Sequence, residues 1–349
     1  MSSHLVDEAI ASRFAAKFAQ PGSLDQSYLL DGLQESFEEL TREAEPLIAE
    51  ESGFISPHPA VPRVLSRQEW ATANVTSMLE LMSPLLNKMQ KRMDDTPAFP
   101  GAKYAYKAAL GAQLGTVLGF LSQRVLGQYD ILVGHQNQVW FVGPNIVMME
   151  RRFGFLPRDF RLWIVLHELT HRSQFEANPW VRPHFLGLVN QMLDSMDMDA
   201  KALADRMMSS FKPGNAPRNS EENAPLVFRV LQPDQLEIFN RLQAFMSVIE
   251  GHGNFVMDRV GEGRIPSQPR MSQALRGGGT IGSPLARLMA KVLGFELKKA
   301  QYVQGQLFFD AVYANAGSGG VKAVFHSVEA LPTLEEVKSP ERWLSRVAP

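Results

Sequence analysis

Residues 167–171 read His-Glu-Leu-Thr-His and follow the apolar run Leu162–Leu166. Two histidines four positions apart project from the same face of an α-helix, one turn apart, so the motif favours a helix. At that pitch both imidazoles reach one tetrahedral Zn²⁺, and Glu168 lies beside them to act on a metal-bound water. A carboxylate in so apolar a stretch costs several kcal/mol unless it has a partner. The sequence therefore predicts a metal site with His167 and His171 as ligands and Glu168 as the catalytic base.

The helix that carries this motif is expected to begin near Pro157 or Asp159. It should end by Asn178, because Pro179 disfavours a helical residue before it. Large apolar side chains recur on the same face as the two histidines, so we expect the imidazoles to point into the protein interior.

A catalytic zinc site takes three protein ligands and leaves the fourth position to water, so a third ligand is needed. Position 177 is Ala, which excludes the third histidine of the longer motif His-Glu-x-x-His-x-x-Gly-x-x-His. Glu250 is the preferred candidate, because it continues an apolar helix face and a buried carboxylate needs a cation. His252 is the alternative; on a regular helix it points roughly 200° away from Glu250, unless the flanking glycines break the helix. Asn254 is a candidate to hydrogen-bond a ligating histidine.

The composition limits the metal ligands, the partners and the cellular location that we expect for this protein. The 349 residues include no cysteine, so disulfides and thiolate ligands are excluded and a transition metal must use histidine and carboxylate. Lys and Arg number 35, Asp and Glu 37, and this balance gives no reason to expect nucleic acid or a membrane as partner. The N-terminus lacks a signal-peptide pattern, and the most lipid-like stretch, Ala108–Leu121, is too short to span a bilayer. Together with the lack of cysteine, this favours a cytoplasmic protein.

The periodicity of the chain predicts a mainly α-helical fold with a small β element. Besides the motif helix, helices are expected at residues 25–45 (ending before Pro46), 66–93 (opened by the capping box Ser66–Glu69), 102–126, 234–260 and 283–315. Connectors are expected at residues 56–62, 212–225 and 263–282. Residues 138–142 form the best strand, which we expect to lie beside the metal helix and to pair with an extended substrate. We divide the chain into an N-terminal helical region, 1–95, and a metal-binding catalytic region, 96–349. The two regions together can form one continuous domain.

Two smaller patterns concern packing. Gly111, Gly115 and Gly119 recur every four residues and indicate a face on which another helix packs closely. Near the C-terminus, Leu331-Pro332-Thr333 and Trp343 are expected to fold back on the body of the protein.

Short strings along almost the whole chain carry a family resemblance. They are Arg124–Asp130, Val142–Asn145, Asp159–Trp163, His167–His171, Gln174–Glu176, Pro179–Trp180, Glu250–His252, Gln301–Gly305, Leu331–Thr333 and Pro340–Trp343. In these strings the sequence resembles a bacterial family of zincin-like hydrolases of unknown function, one branch of which is associated with biosynthesis of the deazaflavin cofactor. The resemblance implies a largely helical zincin-like fold, with His167 and His171 as zinc ligands and Glu168 as general base. It implies no particular substrate.

The main functional hypothesis is a zinc-dependent hydrolase, in the first place a metallopeptidase acting on a peptide or protein. The alternative is a non-catalytic zinc-binding protein, in which a fourth protein ligand closes the site and the surface binds a partner. Arg182 and Tyr302 are candidates, by residue type alone, to polarise a substrate carbonyl. His252, if it is not a ligand, is a candidate to stabilise an oxyanion. No phosphate loop or dinucleotide motif supports nucleotide or deazaflavin binding.

Overall fold

The computed structural model describes residues 5–20, 22, 24–25, 27–95, 101–131, 137–195, 232–277 and 295–347, without the side chains of 275–302. The described chain is mainly α-helical with one small sheet, which confirms the predicted fold class. The helices are α1 (Glu8–Phe18), α2 (Leu33–Ser52), α3 (Arg67–Leu81), α4 (Ser83–Asp95), α5 (Ala102–Ser122), α6 (Gly143–Phe153), α7 (Pro157–Glu176), α8 (Val181–Ser195), α9 (Pro233–Gly261), α10 (Gln268–Gly277), α11 (Phe295–Ala323), α12 (Leu334–Lys338) and α13 (Pro340–Val347), with a 3₁₀ turn at Tyr28–Leu30. The strands are β1 (Val61–Leu65), β2 (Gly127–Tyr129) and β3 (Gln138–Val142).

β3 has the predicted bounds and is the central strand of the sheet. β1 pairs with it in parallel and β2 pairs with it antiparallel, so both of its edges are occupied. The expectation that β3 pairs with an extended substrate is therefore wrong. β2 is instead an edge strand of the described sheet, and it packs against α7. The connector predicted over residues 56–62 ends earlier, because Val61 and Pro62 belong to β1. Proline is tolerated there, since β1 is an edge strand in which a residue can lack an N–H.

The helices predicted over residues 25–45 and 66–93 differ from their predicted bounds. α2 begins at Leu33, later than predicted, and continues through Pro46 to Ser52, so the predicted end before the proline is also wrong. Ile48 and Ser52 are buried beyond the proline, and this packing offsets the backbone hydrogen bond that proline cannot donate. The helix expected over residues 66–93 begins with the predicted Ser66–Glu69 capping box. It is interrupted at Met82 and so forms two helices, α3 and α4.

The glycine stripe of α5 packs against α1, as the sequence predicts. A Cβ atom on Gly111, Gly115 or Gly119 would lie 2.5, 2.1 or 2.7 Å from a backbone carbonyl oxygen of α1 or of the residue before it. No side chain fits at that distance, so glycine is what allows the two helices to approach. α5 ends at Ser122, earlier than predicted, and the chain enters β2 at Gly127.

The motif helix α7 lies in the larger of the two hydrophobic clusters that the described residues form. α7 packs against α2, α9 and β2, and α9 packs in turn against α11. The second cluster is built around α1, α3 and α5. Because α7 and α9 share the larger core, residues far apart in sequence can meet between them. The division of the chain at residue 95 stays a prediction.

The remaining expectations concern connectors and the tail. Residues 212–225 and the helix start expected at Ser283 lie outside the described residues, whereas the connector expected over 263–282 contains α10. Trp343 is fully buried, and its Nε1–H donates to the carbonyl of Ala330 over 2.7 Å, so the tail folds back as predicted. None of the described helices is both long and apolar enough to span a membrane.

Candidate metal centre

The sequence of α7 explains where this helix begins and ends. Pro157 occupies its first turn, where a missing N–H has no cost, and Asp159 places a negative charge near the positive end of the helix dipole. The helix ends at Glu176, shortly before Pro179. Both ends agree with the predicted bounds.

A buried arginine fixes a face of α7 other than the one that carries the two histidines. Arg172 is 1% exposed and pairs with Glu45 of α2 and Glu176 of α7, each over 2.7 Å. Its guanidinium also donates to the carbonyl of His58. These contacts hold α7 against α2 and the segment before β1, and they fix the rotation of α7 about its axis.

Three potential metal ligands converge between α7 and α9. The Nε2 atoms of His167 and His171 lie 3.0 Å apart. Glu250 of α9 places its Oε2 atom 3.8 Å from the first and 3.6 Å from the second. Among the described residues, these three form the group of His, Cys, Asp and Glu side chains arranged to hold a metal ion.

The three atoms have the spacing that a zinc ion requires. A circle through them has a radius of about 2.0 Å, which matches the usual Zn–N distance of about 2.0–2.1 Å and the Zn–O distance of about 2.0–2.2 Å. Two imidazole nitrogens and one carboxylate oxygen are also donors that zinc accepts. The residues present therefore fit a zinc ion.

The electrostatics of the cluster favour positive charge at its centre. Burial by itself would lower the pKa of His171, but the neighbouring carboxylate of Glu250 outweighs it and raises the pKa above its ordinary value. The charge of Glu168 adds to this effect. A site that stabilises a proton in this way also stabilises a metal cation.

Glu168 lies beside the cluster and against β2. One of its carboxylate oxygens accepts a hydrogen bond from the backbone N–H of Tyr129 over 3.2 Å. A Cβ atom on Gly127 would lie 2.6 Å from the Cγ atom of Glu168, so glycine is required for this approach. The sequence does not predict the roles of Gly127 and Tyr129, because β2 has only three residues and lacks a strand pattern.

His252 lies apart from the three converging side chains. It is fully buried, and its ring lies 4.9–5.3 Å, centroid to centroid, from the rings of Phe54, Phe309 and Phe325. Its Nδ1 atom lies 2.9 Å from Nε2 of Gln174. Burial, with a smaller contribution from the charge of His171, lowers the pKa of His252 to about 3, which keeps the ring neutral.

The two glycines that flank His252 do not break the helix, because α9 is continuous from Pro233 to Gly261. They make room for neighbours instead. A Cβ atom on Gly251 would lie 2.2 Å from the backbone of Gly305 in α11. A Cβ atom on Gly253 would lie 3.2 Å from Cε1 of His171, so this glycine leaves space for the ligand rings.

Two expected supporting residues have other positions. The side chain that accepts a hydrogen bond from Nδ1 of His171 is Gln174, through its Oε1 atom at 3.0 Å, and not the predicted Asn254. Arg182 donates to the carbonyl of Ile131 and to the hydroxyl of Tyr129, over 2.7 and 2.9 Å, and so fixes the end of β2. The side chain of Tyr302 lies outside the described part of the chain.

The chain is similar to known proteins over nearly its full length. Residues 6–344 match the family described as "Zincin-like metallopeptidase". The chain is 32% identical to the protein in a crystal structure described as that of a "putative hydrolase with a novel fold" from Chloroflexus aurantiacus. That match covers 98% of each chain with a TM-score of 0.72. None of the curated proteins matches the chain.

Proposed function

From the premise that this chain belongs to the zincin-like metallopeptidase family, we propose that it is a zinc-dependent hydrolase that cleaves peptide bonds. One observation carries the proposal: His167, His171 and Glu250 converge with the spacing of zinc ligands, and Glu168 lies beside them. His167, His171 and Glu250 are the proposed ligands, and Glu168 is the proposed general base. His252, which lies outside the converging group, is not included in this ligand set.

Zinc, when bound, supplies a Lewis acid that polarises a carbonyl group and lowers the pKa of a bound water. Glu168 accepts a proton from the attacking water and delivers it to the nitrogen of the leaving amine as the C–N bond breaks. The Tyr129 N–H and the close approach of Gly127 restrict the carboxylate to one orientation. This restriction favours proton transfer, because a base must lie within hydrogen-bond reach of the proton it removes.

The edge strand β2 supports a peptide as the substrate class. An extended peptide can add a strand to an exposed sheet edge through backbone hydrogen bonds. β2 lies at an edge of the described sheet, and its residue Tyr129 contacts Glu168. A peptide docked beside this edge would therefore lie next to the proposed base, which already accepts the N–H of Tyr129.

Replacing the base tests the proposed chemistry. We expect Glu168→Gln to retain one zinc per chain and to lose at least about 100-fold in the rate of peptide cleavage, because a positioned base contributes about 10²–10⁴-fold. The substrate probe is a mixture of internally quenched peptides, and zinc is measured by elemental analysis. The matched control is Glu237→Gln, which removes an exposed carboxylate of α9 and should leave both quantities unchanged. Full activity in Glu168→Gln would refute the role of Glu168.

The alternative, a non-catalytic zinc protein, predicts a closed site with four protein ligands. Cobalt substitution separates the two functions, since cobalt(II) reports its coordination in the visible spectrum. An open site should change its spectrum when a small hydroxamate is added. A spectrum that does not respond to hydroxamate would favour the closed, structural site.

A further inference from the structure

Gln174 is a fully buried side chain that joins the metal centre to α9. Its Oε1 atom lies 3.0 Å from Nδ1 of His171, and its Nε2 atom lies 2.9 Å from the carbonyl oxygen of Ile249 and 2.9 Å from Nδ1 of His252. One amide group therefore contacts a proposed ligand, the backbone beside Glu250 and the buried histidine of α9.

The carbonyl of Ile249 determines the orientation of this amide. A backbone carbonyl only accepts hydrogen bonds, so the amide atom that faces it must be the NH₂ group. The Oε1 atom of Gln174 must then face His171. The same NH₂ group has a second hydrogen, which points to Nδ1 of His252 and requires that nitrogen to accept.

The orientation of the amide in turn determines the tautomers of both histidines. An amide oxygen only accepts, so Nδ1 of His171 must carry a proton, and in the neutral ring its Nε2 atom presents a lone pair towards His167 and Glu250. On the neutral His252 ring, Nδ1 accepts and the proton resides on Nε2. That Nε2 atom has no hydrogen-bond partner among the described residues, and its ring lies among aromatic side chains.

We propose that Gln174 is the positioning residue of the metal centre: it holds His171 in the tautomer that binds zinc through Nε2. The hydrogen bond from its NH₂ group to the carbonyl of Ile249 fixes the orientation of the amide. This inference depends on the zinc site proposed above. Because Ile249 directly precedes Glu250, the same amide also links the helix that carries the histidines to the helix that carries the carboxylate. A hydrogen bond from the second nitrogen of a ligating histidine orients the ring and increases its basicity, and its loss typically lowers metal affinity 10–100-fold.

The matched variants are Gln174→Met and Thr170→Val. The first keeps the length of the side chain and removes all three contacts. The second removes another fully buried polar group of α7, whose hydroxyl donates to the carbonyl of Leu166 within the same helix. Zinc affinity is measured by competition with a chelating dye. We expect Gln174→Met to bind zinc about 10- to 100-fold more weakly than the unaltered protein, and Thr170→Val to bind it equally well.

A second measurement uses the unaltered protein and does not depend on the folding of a variant. In zinc-free protein with ¹⁵N-labelled histidine, at alkaline pH where the ring is neutral, the NMR spectrum should show the proton of His171 on Nδ1. In Gln174→Met the ring should populate both tautomers.

The outcomes separate this inference from the proposed function. If the unaltered protein binds no zinc, the zinc centre and the hydrolase proposal both fail. If the unaltered protein binds zinc but Gln174→Met binds it with the same affinity, or if the proton of His171 resides on Nε2, only the role of Gln174 is overturned.

Discussion

His252 lies in an environment that departs strongly from its ordinary chemistry in water. Its imidazole is fully buried among three phenylalanine rings, and the contact to Nδ1 is made by the amide NH₂ of Gln174. A positive charge there would lose its hydration and face an N–H donor. Burial therefore keeps the ring neutral and its pKa at about 3, well below the ordinary value of 6.5.

The low pKa of His252 predicts a pH dependence of stability. Between pH 6.5 and about 3 the unfolded chain binds a proton at this residue and the folded chain does not. Protonation thus stabilises the unfolded state, and the free energy of unfolding decreases as the pH falls through this window, by up to about 1.4 kcal/mol per pH unit. Above pH 6.5 the residue makes no pH-dependent contribution.

The variant His252→Asn isolates the contribution of His252 to the pH dependence of stability, because asparagine still offers an acceptor to Gln174 but does not titrate. Both proteins are unfolded with urea after removal of metal by a chelator, at pH values from 4 to 8. We expect the free energy of unfolding of the variant to fall less steeply below about pH 6.5. If the free energy of unfolding fell equally steeply with pH in the two proteins, the low pKa of His252 would be contradicted.

At single residues, the sequence predicts what helix geometry alone defines. The pitch of one helix brings His167 and His171 together, and this follows from their spacing. The role of Gln174 depends on the carbonyl of Ile249, 75 residues away, so no local pattern defines it. One sequence signal was available, because a residue three positions after His171 lies on the same face of the helix.

At the level of the elements, the close contact between α1 and α5 depends on small residues. Gly115 is the tightest point, because a Cβ atom there would lie 2.1 Å from the carbonyl oxygen of Ala11. The neighbouring atoms are backbone, which cannot move aside as the end of a flexible side chain can. Any larger residue must therefore push the two helices apart.

Gly115→Ala should destabilise the protein by about 1–3 kcal/mol, the usual cost of overpacking. Gly187→Ala in α8 is the matched control, because nothing lies within 4 Å of its added Cβ atom. It should stabilise the protein by about 0.5–1 kcal/mol, since alanine loses less backbone entropy in a helix. Thermal unfolding measures both effects, and we expect opposite shifts in Tm. If Gly115→Ala also raised the Tm, the contact between α1 and α5 would be looser than described.

Element ends are predictable where a local signal decides them and not where tertiary packing does. The Ser66–Glu69 capping box and the bounds of α7 are local features, and both agree with the prediction. The helix through Pro46 persists because Ile48 and Ser52 are buried beyond it. The sequence predicts the strand at residues 138–142 but not its partners β1 and β2, since pairing joins distant segments.

At the scale of the whole molecule, the proposed zinc ligands join two helices of the main core. His167 and His171 belong to α7, and Glu250 belongs to α9, which the chain reaches only after α8 and residues 196–231. In the unfolded chain, Glu250 is far from the histidines along the sequence. A ligand that binds the folded state alone stabilises it by RT ln(1 + [L]/Kd). Zinc should therefore act as a stabilising cross-link between α7 and α9.

Removal of zinc is thus expected to lower the Tm of the whole protein. At a free zinc concentration about 100 times the Kd, binding stabilises the folded state by about 2.7 kcal/mol. Dialysis against a chelator should remove this contribution, and added zinc should restore it. In His167→Gln and Glu250→Gln the Tm should no longer respond to zinc, whereas Glu237→Gln should respond as the unaltered protein does. A Tm of the unaltered protein that is the same with and without zinc would show that no metal links the two helices.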